Sequence, residues 1–89
     1  MVKVEKKKPT EEELQKLGVK SWGTWSSPTE DFDWEYDDKE MFYVLEGEAE
    51  IDAGDEKVRF GAGDLVTCNP PFKCRWKIIK QIKKHYKFG

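Results

Sequence analysis

Few side chains in this 89-residue chain have the chemistry of a nucleophile, an imidazole base or a soft metal ligand. The thiols are Cys68 and Cys74, and the single imidazole is His85. Cys74 stands beside Arg75, a pairing that would favour the thiolate if the guanidinium could reach it. On a strand it cannot, because adjacent side chains point to opposite faces. Without a nearby base the thiol is inert, so Cys74 reads first as a buried structural cysteine. His85 lies in a basic C-terminal segment and reads as a surface or rim histidine before it reads as a general base.

Period-two alternation groups the other candidates. Trp34 and Tyr36 share one strand face, as do Glu40, Phe42 and Val44, and again Cys74 and Trp76. The elements that must position them are mostly strands. Val2–Lys6 alternates apolar and charged residues as a first strand. Thr10 followed by Glu13 forms a capping box, acids fill the first turn, and Gly18 suits the left-handed end of a helix of about two turns. Leu14 and Leu17 give that helix a single docking edge. Strands are then expected over Val19–Ser26, Phe32–Tyr36, Glu40–Leu45, Glu48–Asp52, Glu56–Phe60, Leu65–Thr67, Phe72–Ile79 and Ile82–Phe88. Ala53-Gly54-Asp55 and Gly61-Ala62-Gly63-Asp64 are the turn signals between them, and Asn69-Pro70-Pro71 is a break. Eight or nine short strands at this rhythm argue for a sandwich or a jelly-roll barrel, which also removes exposed sheet edges.

Composition agrees with one folded domain. Hydrophobic residues make up 37% and charged residues 38%, and twelve aromatics supply the buried area that the low apolar content would otherwise lack. No apolar run approaches the ~20 residues of a membrane span, and Met1–Lys8 is too polar for a signal peptide. Two cysteines are too few for a disulfide scaffold, so both are expected as thiols in a cytoplasmic protein. Charge is segregated: residues 1–29 carry a net +2, residues 30–64 a net −11, and residues 65–89 a net +7. A basic tail can signal nucleic acid. The simpler reading sets basic strands beside acidic ones within a single domain, with Lys6-Lys7-Lys8 and Lys83-Lys84 as solvated ends.

Glu40-Met41-Phe42-Tyr43-Val44-Leu45-Glu46-Gly47-Glu48, followed by Gly63-Asp64-Leu65-Val66, resembles the two signature segments of the cupin superfamily. In the first, a metal-binding Glu precedes a Gly by seven positions, as Glu40 precedes Gly47. The second opens with Gly-Asp before an apolar strand, although Asn69-Pro70-Pro71 stands where the family has Pro-x-Gly. Trp34-Glu35-Tyr36-Asp37, Cys74-Arg75-Trp76 and Lys84-His85-Tyr86 extend the similarity to the small cupins grouped with ureidoglycine aminohydrolase. The resemblance implies one domain over residues 1–89: all-β, a single cupin jelly-roll β-barrel with one short N-terminal helix.

The resemblance also places the family's three histidines at Trp34, Tyr36 and Cys74, leaving only Glu40 of the four ligands. Glu40, Cys74 and His85 would form a three-donor set only if His85 faced inward. No metal or other cofactor is therefore expected, and the family's metal-dependent activity is not carried over.

If the cupin register holds, the faces named above converge inside the barrel. One reading is a ligand pocket walled by Trp34, Tyr36, Phe42 and Trp76, with His85 as a rim contact and Glu40 and Cys74 as its polar, candidate catalytic groups. The other is a barrel filled by its own side chains, with Glu40 hydrogen-bonded to Tyr36 or to the Trp76 N–H. The expected function is binding of a small organic ligand. The alternative is a metal-dependent or acid/base enzyme acting on a small nitrogenous or carboxylate metabolite, since a glutamate in an apolar barrel suits proton transfer near neutrality. Nucleic acid and membrane are not expected as partners; a homodimer through an apolar sheet face is the remaining partner expectation.

Overall fold

A computed structural model describes residues 2–89. Among them the first strand, β1, is Val4–Lys7, followed by the helix α1 at Glu11–Leu17. Thr10 and Glu13 cap α1 reciprocally and Gly18 closes it at φ 67°, as the capping pattern requires. No α1 residue is buried, so the helix is held by its caps and by the half-buried edge of Leu14. Val19–Ser21 is a 3-10 turn rather than the start of a strand; Val19 is buried and anchors it. The remaining strands are β2 (Gly23–Ser27), β3 (Asp31–Tyr36), β4 (Glu40–Asp52), β5 (Lys57–Gly61), β6 (Leu65–Cys68) and β7 (Phe72–Phe88). No helix among the described residues is long and apolar enough to cross a membrane.

Among the described residues seven strands therefore stand where eight or nine were expected, because β4 and β7 each join two expected strands. β4 runs unbroken for 13 residues through Glu46-Gly47, and β7 for 17 residues through Lys80-Gln81. Both sequence breaks are bends. The β4–β7 register slips between Val44 and Ala49, and Gly47 sits there at φ 91°. A Cβ on Gly47 would lie 2.1 Å from the Gln81 carbonyl oxygen, so only glycine lets the two strands bend against each other.

The sheet order is β1-β6-β4-β7-β2, with β3 added to β7 and β5 to β4. On either side of the bend the long strands change partners. β6 pairs with Glu40–Tyr43 and β5 with Glu48–Asp52 of β4; β2 pairs with Ile82–Tyr86 and β3 with Phe72–Lys77 of β7. One sheet thereby folds over on itself around a core that includes Tyr36, Phe42, Val44, Ile51, Phe60, Val66, Trp76 and Ile82.

The charge segregation is resolved by the same pairing. Basic β7 lies between acidic β3 and acidic β4: Arg75 faces Asp33 and Asp52, Lys77 faces Asp31 and Glu50, and Lys80 faces Glu48. Arg75 closes an ion pair with Asp33 at 2.9 Å. Lys84 departs from this pattern and from the solvated role expected of it. It is 5% exposed, with its side chain inside the barrel.

Candidate functional site

A cavity of about 190 Å³ opens at one end of the barrel, between β2, β3 and the paired ends of β4 and β7. β3 presents Phe32, Trp34 and Tyr36 to it on alternate positions, β7 presents Trp76, Lys84, Tyr86 and Phe88, β2 adds Trp25, and β4 adds Glu40. Trp34 and Phe88 form the exposed rim. Behind them Phe32 and Trp76 stack with their planes 7° apart, and Trp25 meets both rings edge-on.

At the inner end lies a charged pair. Glu40 Oε1 accepts a hydrogen bond from the Tyr36 hydroxyl at 2.6 Å, and Glu40 Oε2 accepts one from Lys84 Nζ at 3.0 Å. Lys84 pairs across the sheet with Val44, so its stem runs back past Phe42 to reach the carboxylate. Its ammonium sits over the rings of Phe42 (4.1 Å), Trp76 (4.6 Å), Trp25 (5.0 Å) and Tyr86 (5.9 Å). Burying an ammonium is costly; one carboxylate and four ring faces offset that cost. Burial lowers the Lys84 pKa, and Glu40 opposes this only in part. Burial, reinforced by Cys68 and Glu40, pushes the Tyr36 hydroxyl well above its usual value, so it remains a donor to Glu40. No buried side-chain nitrogen or oxygen among the described residues lacks a partner.

Of the residues expected at the site, Trp34, Tyr36, Glu40 and Trp76 meet in this cavity, and of the two hydrogen bonds that the filled-barrel reading offered Glu40, the one from Tyr36 is present. Three others stand elsewhere. Phe42 is fully buried and lies beneath Lys84 rather than on the open wall. Cys74 does not line the cavity; it packs in the core, and burial, with Glu40 and Asp33 nearby, pushes its thiol up to about 11. A thiol so placed is protonated at neutral pH and is no nucleophile. His85 projects from the other face of β7, where Nδ1 lies 3.1 Å from the Thr24 hydroxyl, and lines a separate groove with Leu14, Val19 and Tyr43. Parity explains this: Phe72, Cys74, Trp76, Ile78, Ile82 and Lys84 occupy the inward positions of β7, and His85 is out of step with them. The same parity is the one sequence signal for Lys84, which sits two residues after Ile82 and was masked by the basic run around it.

The donor set does not fit a first-row metal. Both Glu40 oxygens are engaged, one by an ammonium that would repel a second cation. The described residues contain no group of three His, Cys, Asp or Glu side chains arranged to hold an ion.

A folded-over antiparallel sheet, closed around an aromatic cavity with a glutamate at the start of its first long strand, defines a jelly roll of the cupin class. The family model described as the EutQ-like cupin domain matches residues 14–86, and the chain belongs to that family. A DUF861 family protein from Thermotoga maritima is similar over 97% of this chain and 99% of its own, at 40% identity and a TM-score of 0.94. A putative ethanolamine utilization protein Q from Salmonella typhimurium shares 21% identity at a TM-score of 0.69, covering 74% of this chain and 54% of that one. The EutQ protein of Clostridium difficile shares 23% at the same TM-score, covering 74% and 52%. The chain thus spans about half the length of those two proteins, and at such identity the likeness concerns the fold alone. No curated protein matches the chain.

Proposed function

We propose that this cupin binds a small, flat organic molecule in the cavity behind Trp34, with a polar atom of the ligand directed at the Lys84–Glu40 pair. The observation that carries this reading is the pair itself, which forms part of the wall of a space large enough for several heavy atoms. Flat apolar walls with a few polar groups at one end are the usual make-up of a small-molecule site. The stacked rings of Phe32 and Trp76 supply a face for a planar ligand, and exposed Trp34 supplies its cover.

The test is a titration of small neutral aromatic, amide and carbonyl compounds, followed through the indole N–H signals in a proton–nitrogen NMR spectrum. Saturable shifts of the Trp25, Trp34 and Trp76 signals, lost in Trp34→Ala, are expected. A panel that moves none of these signals overturns the reading.

A hydrolytic role on a small nitrogenous metabolite, of the ureidoglycine aminohydrolase kind, would make Glu40 the proton carrier. It is supported by the place of Glu40 in the cavity wall, and ammonia release lost in Glu40→Gln is its test.

A further inference from the structure

We propose that the Lys84 amine forms a reversible imine with a small aldehyde or ketone entering the cavity, with Glu40 moving the protons. This rests on the binding reading above and names the reacting group of the ligand.

Three observations carry it. Lys84 is the one lysine among the buried polar residues of the described chain, and its side chain is part of the cavity wall. The carboxylate that could take and return its proton is 3.0 Å away, and it is the only carboxylate lining the cavity. The charge balance of the site selects the ligand. The ammonium is already matched by Glu40, so an anionic ligand would bring an uncompensated charge into a desolvated space. A cationic ligand would be repelled by the Lys84 ammonium, which already sits over the Trp25, Phe42 and Trp76 rings at the inner end. A neutral carbonyl compound meets neither obstacle.

The step balances within the site. The Lys84 ammonium gives one proton to Glu40, and the free amine attacks the carbonyl carbon to form a carbinolamine. Nζ then loses a second proton to the former carbonyl oxygen. Glu40 returns the first proton to that hydroxyl, which departs as water through the mouth at Trp34. The product is an iminium ion facing the Glu40 carboxylate, so the charges of the starting pair are preserved and the low-dielectric surroundings do not oppose it. Burial of Lys84 favours the neutral amine that the attack needs.

The test uses benzaldehyde with sodium cyanoborohydride, and benzyl alcohol as a partner of similar shape that cannot form an imine. The reduced adduct is located by peptide mapping. Lys84 is expected to be benzylated several-fold faster than the other thirteen lysines, with the advantage largest on the acid side of neutrality. The fast single addition should disappear in Lys84→Arg, which keeps the cation, and should slow in Glu40→Gln. If both compounds shift the indole signals but Lys84 reacts no faster than exposed lysines, the imine is overturned and the binding reading stands. If neither compound shifts the signals and Lys84 is not preferred, both fall. Equal rates in the parent protein and in folded Glu40→Gln would overturn the part given to Glu40; should that variant not fold, Glu40→Asp, with its carboxylate drawn back, serves the same comparison.

Discussion

Glu40 and Lys84 are 44 positions apart in the chain, yet their side chains meet at 3.0 Å inside the barrel with only 4% and 6% of their surfaces exposed. β4 and β7 each contribute one member, and the register of those two strands decides the meeting. A charged pair this deep is costly to break from one side, because the survivor keeps its desolvation and loses its partner.

The pair should therefore behave as a unit. Lys84→Met is expected to cost about 3–5 kcal/mol in urea unfolding, leaving Glu40 with Tyr36 as its only partner. Adding Glu40→Gln to Lys84→Met should recover a substantial part of that loss, since an amide needs no counter-charge. Strictly additive losses in the double-mutant cycle would show that the two groups do not interact.

The strand bend makes a second prediction. Gly47 combines φ 91° with a backbone oxygen 2.1 Å from where a Cβ would sit. Gly47→Ala should lower stability by about 3 kcal/mol or more, through strain and displacement of β7 at Gln81. Gly54→Ala is the control: its φ is also positive, at 90°, but nothing lies within 4 Å of the added carbon, so its cost should be smaller. Thermal denaturation of the two variants checks the order.

Acid sensitivity should centre partly on Asp64. Burial pushes its pKa up, but the Gly61 amide and the Lys8 ammonium outweigh this and hold it below the ordinary aspartate value. A carboxyl with a depressed folded pKa gives stability that is fully present above its unfolded value, about 3.9. That stability is lost as the pH falls through the lower folded value. Asp64→Asn should cost about 1 kcal/mol at neutral pH and flatten the acid limb of the stability curve. Urea midpoints measured from neutral pH down to about pH 2 are the readout; parallel curves for the two proteins would remove Asp64 from the acid response.

The proposed site predicts that the two faces of β7 separate in function. His85→Gln should leave the ligand-induced indole shifts unchanged, because His85 meets Thr24 and lines a separate groove on the other face of β7 rather than the cavity. Trp34→Ala should abolish those shifts at little cost in stability, because 46% of Trp34 is exposed. A loss of binding in the histidine variant would move the site to the opposite face.

Much of this was legible along the chain, for local reasons. Capping chemistry set α1 between Thr10 and Gly18, and alternation set the strand faces that bring Trp34, Tyr36, Glu40 and Trp76 together. The net −11 and +7 segments already implied cross-strand neutralisation. The bends at Gly47 and Gln81 were misread as breaks, because glycine and a polar pair mark an end of a strand and a bulge within one equally well.

Lys84 was settled only in three dimensions. A lysine in a basic run defaults to water, since an ammonium is stable in the interior only beside a fixed counter-charge. That counter-charge is Glu40, brought there by pairing between strands distant in sequence, together with rings from β2, β4 and β7. Alternation along a strand is a property of the chain, but which charge stands opposite is a property of the register, and register is fixed only when the whole barrel closes.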